Sequence, residues 1–184
     1  MSFAAKMAKL SLQPIILIMS KLPRYNSYWV IPDQFMAGEY PGHRFDESKT
    51  EKRLDALLEA GITTYIDLTM PDERIPYEPI LVERASYYQV EAKYHRFSIG
   101  DFGIPSPNEM RVILDAIHQS IANGSKPYIH CWAGMGRTGT AVGCYFVENG
   151  LNGLEALLKV DRLCYYAPSP QTGGQKDFVR NWSK

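Results

Sequence analysis

The sequence contains few of the residues that build disulfide frameworks and metal sites. It has three cysteines and four histidines among 184 residues. An odd number of cysteines without paired or metal-type spacing argues against a disulfide scaffold and fits a reducing, cytoplasmic compartment. The histidines are scattered, so we expect no metal-ligand cluster. A chain of this length is one ordinary domain, large enough to bury an apolar core.

The sequence also lacks an excess of charge and a long apolar run. Its 20 basic and 20 acidic residues give a formal net charge of zero, which argues against a broad surface for nucleic acid or anionic membranes. The apolar run from Pro14 to Met19 is too short to span a bilayer, so we expect no integral membrane segment. Residues 1–24 carry basic but no acidic side chains. We interpret them as an N-terminal extension before one domain over residues 25–184, which we expect to be monomeric.

The most informative stretch of the chain runs from Tyr128 to Gly139. An apolar run ends at Cys131, a glycine-containing loop follows, and the loop closes on Arg137 before a helix predicted from Thr140 to Asn149. A strand, a tight loop and a helix N-terminus in this order form an anion pocket. The reason is that the N–H groups of the loop and the positive end of the helix dipole point at the same place.

Two side chains give this pocket the chemistry of a reaction centre. Cys131 lies beside a helix N-terminus and a guanidinium, and such surroundings favour the thiolate. Arg137 can hold two oxygens of one phosphate, and a thiolate facing that phosphate is a nucleophile for phosphoryl transfer. The alternative is a buried structural cysteine. The reactive interpretation is favoured because the string fixes His, Cys, Gly, Arg and Thr together, a combination that rarely arises by chance.

Alternating helix and strand signals predict the fold class. We expect an α/β fold with a central, mostly parallel sheet flanked by helices, whose ligands bind at the carboxyl ends of the strands. The predicted helices are Glu47 to Ala60, Ile80 to Ala92, one from the capping box at Ser106, Thr140 to Asn149, Leu154 to Leu163 and one from near Pro170. The predicted strands are one or two edge strands between Tyr25 and Gly42, Ile62 to Leu68, Tyr94 to Ile99, and the run that ends at Cys131.

The string from His130 to Gly139 resembles the phosphate-binding loop of the cysteine-dependent protein tyrosine and dual-specificity phosphatases. The resemblance implies a phosphocysteine intermediate with an aspartic acid as general acid. Asp101 is the best candidate, because it follows a predicted strand and its loop contains glycine and proline; the loop from Asp101 is similar to the acid loop of dual-specificity-type members. The alternative is that Asp101 is only a turn residue. Asp72 and Glu73 are rival acids, although we expect Glu73 either to brace Arg137 or a neighbour through an ion pair or to be a solvated loop charge.

Other residues receive supporting roles. Thr138 could ease the departure of the sulfur in the hydrolytic step, and His130 is expected to order the loop by hydrogen bonding. The segment from Gln171 to Gln175 is similar to the glutamine loop of the tyrosine phosphatases, which orients the attacking water, and we prefer Gln171 over Gln175 for this task. Cys144 reads as core, and Cys164 either as core or as a partner of oxidised Cys131. Backbone contacts to the phosphate are expected from Trp132, Ala133, Gly134, Met135 and Gly136.

The substrate prediction depends on the loop. Phosphoinositide-type members carry lysines within it, and this loop has none. The resemblance therefore suggests phosphotyrosine in a protein partner, with phosphoserine or phosphothreonine if the pocket is shallow. A phosphatase of a small metabolite or phosphoinositide and a non-catalytic phosphate-binding module are the alternatives; neutral charge disfavours RNA 5′-triphosphatase activity. We expect no metal or cofactor, because Arg137 and the loop dipoles supply positive charge.

Overall fold

The computed structural model of the protein describes residues 26–183. Five strands and six helices alternate along this part of the chain. In chain order they are β1 (Ser27–Ile31), β2 (Phe35–Gly38), α1 (Glu47–Glu59), β3 (Ile62–Asp67), α2 (Glu78–Tyr87), β4 (Lys93–Arg96), α3 (Pro107–Ala122), β5 (Lys126–His130), α4 (Gly136–Glu148), α5 (Gly153–Leu163) and α6 (Gly173–Arg180). The predicted extension over residues 1–24 lies outside the described residues.

The sheet is mostly parallel, and its strand order is β1-β2-β5-β3-β4. β5 is central and pairs in parallel with β2 and β3, while β4 extends the sheet in parallel beyond β3. β1 pairs antiparallel with β2 and forms an edge. The α/β prediction is confirmed. β2 differs from the expectation of an edge strand, because it lies inside the sheet between β1 and β5.

Helices cover both faces of the sheet, and each face has its own apolar core. Successive residues of a strand point to opposite faces, so Tyr128 of β5 packs toward α1 and α2, whereas Ile129 packs toward α3 to α6. Cys131 belongs to the second core. Two covered faces explain why Pro127, Tyr128 and Ile129 of β5 are apolar in succession.

Helix boundaries depart most from the predictions in α2, α4 and α6. α2 ends at Tyr87, five residues before the predicted Ala92. α4 begins at Gly136, four residues before the predicted start. α6 begins at Gly173 rather than near Pro170, because Thr172 caps it by accepting a hydrogen bond from the Gln175 N–H. Within residues 26–183, no helix has both the length and the apolar character needed to cross a membrane.

The contact between α5 and α6 leads to a test of the packing. A Cβ at Gly153, the first residue of α5, would lie 2.4 Å from the carbonyl oxygen of Arg180, whereas a Cβ at Gly174 would meet no atom within 4 Å. We expect Gly153→Ala to lower the free energy of unfolding by about 1–3 kcal/mol, since backbone cannot move aside as a side chain can. Gly174→Ala is the matched control and should be neutral or slightly stabilising. Equal midpoints in urea unfolding would contradict this account of the contact.

Candidate active site

The carboxyl ends of three neighbouring strands meet at one edge of the sheet. In the strand register, His130 of β5 lies beside Gly38 of β2 and Asp67 of β3. Hydrogen bonds continue past the strand ends, because Leu68 N–H donates to the His130 carbonyl and Tyr40 N–H donates to the Trp132 carbonyl, both at 2.9 Å. The loop after β5 is therefore held on both sides by backbone.

This loop forms one side of a cavity of about 220 Å³. Cys131 lies in it with only 3% of its surface exposed. The structure thus brings together most of the residues that the sequence singled out. The lining residues are Asp101, Phe102, Cys131, Trp132, Ala133, Met135, Gly136, Arg137, Gln171 and Gln175.

The path of the loop depends on Gly134, which has a φ of +73°. A Cβ at this position would lie 2.4 Å from the backbone of Gly38, so both the conformation and the space require glycine. The carbonyl of Met135 accepts hydrogen bonds from Ser169 Oγ at 2.7 Å and from the N–H of Gly139 at 3.1 Å. These contacts fix the loop against β2 and against the segment that precedes α6.

Arg137 is the most highly connected side chain of the site and is 2% exposed. Its Nη1 donates to Glu73 Oε2 at 2.7 Å and to the Ile99 carbonyl at 2.9 Å. Its Nη2 donates to Glu73 Oε1 at 2.6 Å and to Asp101 Oδ1 at 3.1 Å. Burial opposes the charge, but the hydrogen bonds that Arg137 donates to Glu73, together with its attraction to Cys131, Glu73 and Asp101, outweigh burial and raise the pKa of Arg137.

Glu73 orients this guanidinium. Its carboxylate accepts both bonds from Arg137 and also one from the Met70 N–H at 3.1 Å. Burial acts to raise the pKa of Glu73, but the hydrogen bonds from Arg137 and Met70 prevail and lower it. The neighbouring Asp72 is exposed and lies outside the cavity, in the adjoining groove. The structure therefore places Glu73, and not Asp72, against Arg137.

Asp101 reaches the cavity from the loop that follows β4. Its side chain is 45% exposed and contacts Arg137 Nη2. The Phe102 N–H donates to Asp101 Oδ1 at 3.1 Å, and Phe102 has a φ of +56°. A bulky residue rarely adopts this left-handed conformation, which costs about 1–3 kcal/mol. The strain lies next to the carboxylate that the sequence nominates as the acid.

The two glutamines have different surroundings. Gln175 is buried, and its Oε1 accepts hydrogen bonds from the N–H groups of Gln171 and Thr172. Its Nε2 donates to the Gly103 carbonyl at 3.1 Å, which ties α6 to the loop of Asp101. Gln171 is exposed and lines the cavity. The geometry gives Gln175 a positioning task and leaves the Gln171 amide facing the cavity.

A buried polar network lies beneath the loop, and the sequence analysis missed most of it. His130 Nε2 lies 2.7 Å from the Tyr77 hydroxyl, on the face of the sheet opposite Cys131. Asp67 accepts hydrogen bonds from Thr69, Tyr94 and Arg96, and its Oδ1 lies 3.9 Å from His130 Nδ1. Burial would raise the pKa of Asp67, but His130 and these donors lower it. The sequence signal that could have revealed Asp67 was its position at the carboxyl end of an apolar strand.

The remaining candidates occupy distinct positions. The Thr138 hydroxyl is fully buried and has no hydrogen-bond partner among residues 26–183. Trp132 is 52% exposed at the mouth of the cavity. Cys144 and Cys164 are buried and free, and burial raises the pKa of each thiol. In the part of the chain that the structure describes, no group of three or more His, Cys, Asp and Glu side chains could hold a metal ion.

Comparison with known proteins places the chain among phosphatases. The family model described as "Swiss Army Knife protein, DSP-PTPase phosphatase domain" matches residues 24–180. MJECL20, an uncharacterised protein of Methanocaldococcus jannaschii, is 36% identical over 86 residues, covering 47% of this chain and 56% of that protein. PTEN1 of Arabidopsis thaliana, a phosphatidylinositol 3,4,5-trisphosphate 3-phosphatase and protein-tyrosine-phosphatase, is 26% identical over 125 residues, covering 66% and 30%. The chain spans little more than half of the first relative and less than a third of the second.

The fold is also similar to solved structures. The crystal structure of Tk-PTP in its active form superposes with a TM-score of 0.70 at 22% identity, covering 85% of this chain and 95% of that one. The Siw14 catalytic core gives a TM-score of 0.66 at 13% identity, covering 88% and 87%. At these identities the likeness concerns the fold alone.

The pKa of Glu73 yields a pH-dependent test of its contact with Arg137. Because the folded-state pKa lies below the ordinary 4.5, ionised Glu73 stabilises the fold above about pH 4.5, and this contribution is lost as pH falls through the folded pKa. We expect Glu73→Gln to lower the free energy of unfolding by about 1–2 kcal/mol at pH 7. The value is modest because the Glu73 side chain is 16% exposed, so that solvent partly screens its charge.

The measurement is urea unfolding of wild type and Glu73→Gln between pH 7 and pH 3. The difference between the two proteins should shrink below pH 4.5. Glu91→Gln, which changes an exposed carboxylate, is the control and should follow wild type throughout. A difference for Glu73→Gln that is independent of pH would show that the ion pair does not stabilise the fold.

Proposed function

We propose that this chain, which belongs to the dual-specificity and protein tyrosine phosphatase family, hydrolyses phosphate monoesters through a phosphocysteine intermediate. One observation carries the proposal. Cys131, Arg137 and Asp101, which are a nucleophile, a cationic donor that can bind two oxygens and an acid, line the same 220 Å³ cavity. The ion pair with Glu73 holds the Arg137 guanidinium in place. A phosphate-binding module without turnover would need neither the thiol nor the acid.

In the first step, the Cys131 thiolate attacks phosphorus, and the bond between phosphorus and the ester oxygen breaks. Loop N–H groups and Arg137 stabilise the equatorial oxygens. Glu73 and Ile99 occupy Nη1 of Arg137, and Asp101 occupies part of Nη2. A phosphate held by Nε and Nη2 therefore competes with Asp101 for the guanidinium. Once displaced, Asp101 in its protonated form gives its proton to the leaving oxygen.

In the second step, water attacks the phosphocysteine. Asp101, now a carboxylate, takes a proton from this water, the sulfur–phosphorus bond breaks, and inorganic phosphate and thiolate are released. Gln171 orients the water, since an amide can accept from water and donate to a phosphoryl oxygen together. The buried hydroxyl of Thr138, which has no partner within the described residues, donates to the sulfur as negative charge returns to it.

The substrate that we propose is phosphotyrosine in proteins. Phe102 and Trp132 both line the cavity and are both more than half exposed, so each can offer an aromatic face to a phosphoaryl ring. The name of the Arabidopsis relative covers both protein tyrosine phosphatase and phosphoinositide phosphatase activity. A phosphorylated polyol or lipid headgroup is therefore the second candidate. We also propose a cytoplasmic location, because a thiolate nucleophile needs reducing surroundings.

The covalent mechanism predicts the effects of two substitutions. Cys131→Ser should abolish hydrolysis of a phosphotyrosyl peptide, and Asp101→Asn should reduce kcat by about 10²–10⁴-fold. Wild type should be active without added metal and in the presence of a chelator, because Arg137 and the loop supply the positive charge. Release of inorganic phosphate is the measurement. Activity that persists in Cys131→Ser would rule out the phosphocysteine.

The role given to Thr138 predicts a change of rate-limiting step. Thr138→Ala should slow breakdown of the phosphocysteine by roughly tenfold, because one hydrogen bond to the charged leaving sulfur is lost. With p-nitrophenyl phosphate, a burst of nitrophenol should then precede the steady state. Thr138→Ser keeps the hydroxyl and should restore wild-type kinetics. If both variants lose activity equally and neither shows a burst, Thr138 acts only in packing.

A further inference from the structure

A second and larger concavity adjoins the catalytic cavity. It has a volume of about 920 Å³ and shares Trp132 and Ala133 with the smaller cavity. Its walls come from the segment between β2 and α1, from α1 itself, and from the loop between β3 and α2. Four basic side chains line it: His43, Arg44, Arg53 and Arg74. No step of the proposed reaction uses any of them.

Arg74 lies at the boundary between the two concavities. Its guanidinium carbon is 3.6 Å from the centroid of the Trp132 ring, which is a cation–π contact. The ring holds the planar group from one side, and Arg74 Nε is buried without a hydrogen-bond partner within residues 26–183. A buried donor without an acceptor costs free energy, and a small movement of Arg74 toward an anion in the groove would give this N–H an acceptor.

The positive charges here are close enough to affect one another. Burial lowers the pKa of Arg74, and the neighbouring charges of Arg44 and Arg137 lower it further. Glu73 attracts Arg74, but its two oxygens accept bonds from Arg137. The other acids of the groove are Glu39, which accepts a bond from Asn26 at 2.9 Å, and exposed Asp72. Like charges held together repel unless an anion lies between them.

We propose that Arg44 and Arg74 form a second phosphate-binding site, so that the substrate carries another phosphate beside the one that reaches Cys131. This inference rests on the proposed function and deepens it. A phosphate monoester carries nearly two negative charges at neutral pH and matches two guanidinium groups better than a single carboxylate does. Because Trp132 and Ala133 line both concavities, the two phosphate sites adjoin one another. The second phosphate can belong to a peptide residue near phosphotyrosine or to a small polyol.

Matched pairs of substrates test the second site. One pair is a phosphotyrosyl peptide with serine or phosphoserine two residues away, and the other is a polyol monophosphate and its bisphosphate. Wild type should prefer the doubly phosphorylated member of at least one pair by about tenfold or more in kcat/KM, mainly through KM. The pair that shows the preference identifies the source of the second phosphate. Absence of a preference in both pairs overturns the proposal.

Variants that remove one positive charge show which residues cause the preference for the doubly phosphorylated substrate. Arg44→Gln and Arg74→Gln should each lose most of it, and Arg44→Gln should change turnover of p-nitrophenyl phosphate by less than about threefold. Arg44→Gln is the cleaner variant, because Arg44 is not the side chain stacked on Trp132. Arg111→Gln is the control, because it also removes an exposed arginine that lies over a tryptophan ring. The Arg111 guanidinium carbon is 5.5 Å from the centroid of the Trp182 ring, outside the groove. An equal loss in Arg111→Gln would mean that net charge alone explains the preference.

A binding measurement separates this inference from the reaction. Calorimetry with Cys131→Ser compares the Kd of the singly and doubly phosphorylated ligands without turnover. Tighter binding of the doubly phosphorylated ligand, lost in Cys131→Ser/Arg44→Gln, supports the second site even if the covalent mechanism is wrong. Equal affinities, together with normal hydrolysis of p-nitrophenyl phosphate by wild type, would overturn the second site and leave the proposed function intact.

Discussion

The ion pair between Arg137 and Glu73 is the interaction on which the site depends. A guanidinium has five N–H donors in a rigid plane, and here that plane joins three separate segments. It connects the first turn of α4 to the loop after β3 through Glu73, and to the loop after β4 through the Ile99 carbonyl and Asp101. A lysine, with one nitrogen on a flexible stem, could not hold these three segments in one geometry.

The parallel sheet makes this arrangement possible. Parallel strands deliver their carboxyl ends to one edge, so the loops after β2, β3 and β5 meet although they are far apart in the chain. Oppositely charged side chains form two groups at this edge, one above and one below the loop after β5. Above the sheet edge Arg137 faces Glu73 and Asp101, and below the loop Asp67 faces His130 and Arg96. The lower layer holds the backbone of the loop, and the upper layer holds the groups that would contact phosphate.

The fold class and the centre of the site could be predicted because their signals are local. The run from His130 to Gly139 contains its own strand end, turn glycines and helix start. The start of α4 was placed too late, since the glycines that suggested loop lie within its first turn. Asp67, Tyr77 and Ser169 were missed because their importance comes from tertiary contacts with residues distant in sequence. Sequence spacing carries no record of such contacts.

Substrate recognition is the property that sequence spacing and composition predict least well. The absence of lysine in the loop from Cys131 to Arg137 argued against a highly charged substrate, and a net charge of zero agreed with it. Folding places Arg44 and Arg74 in a groove that shares a wall with that loop. Screening limits the reach of exposed charges to about 10 Å, so a ligand responds to the arginines beside it and not to the total for the chain. We therefore expect local charge at the mouth of the cavity, rather than composition, to govern which phosphate esters bind at this site.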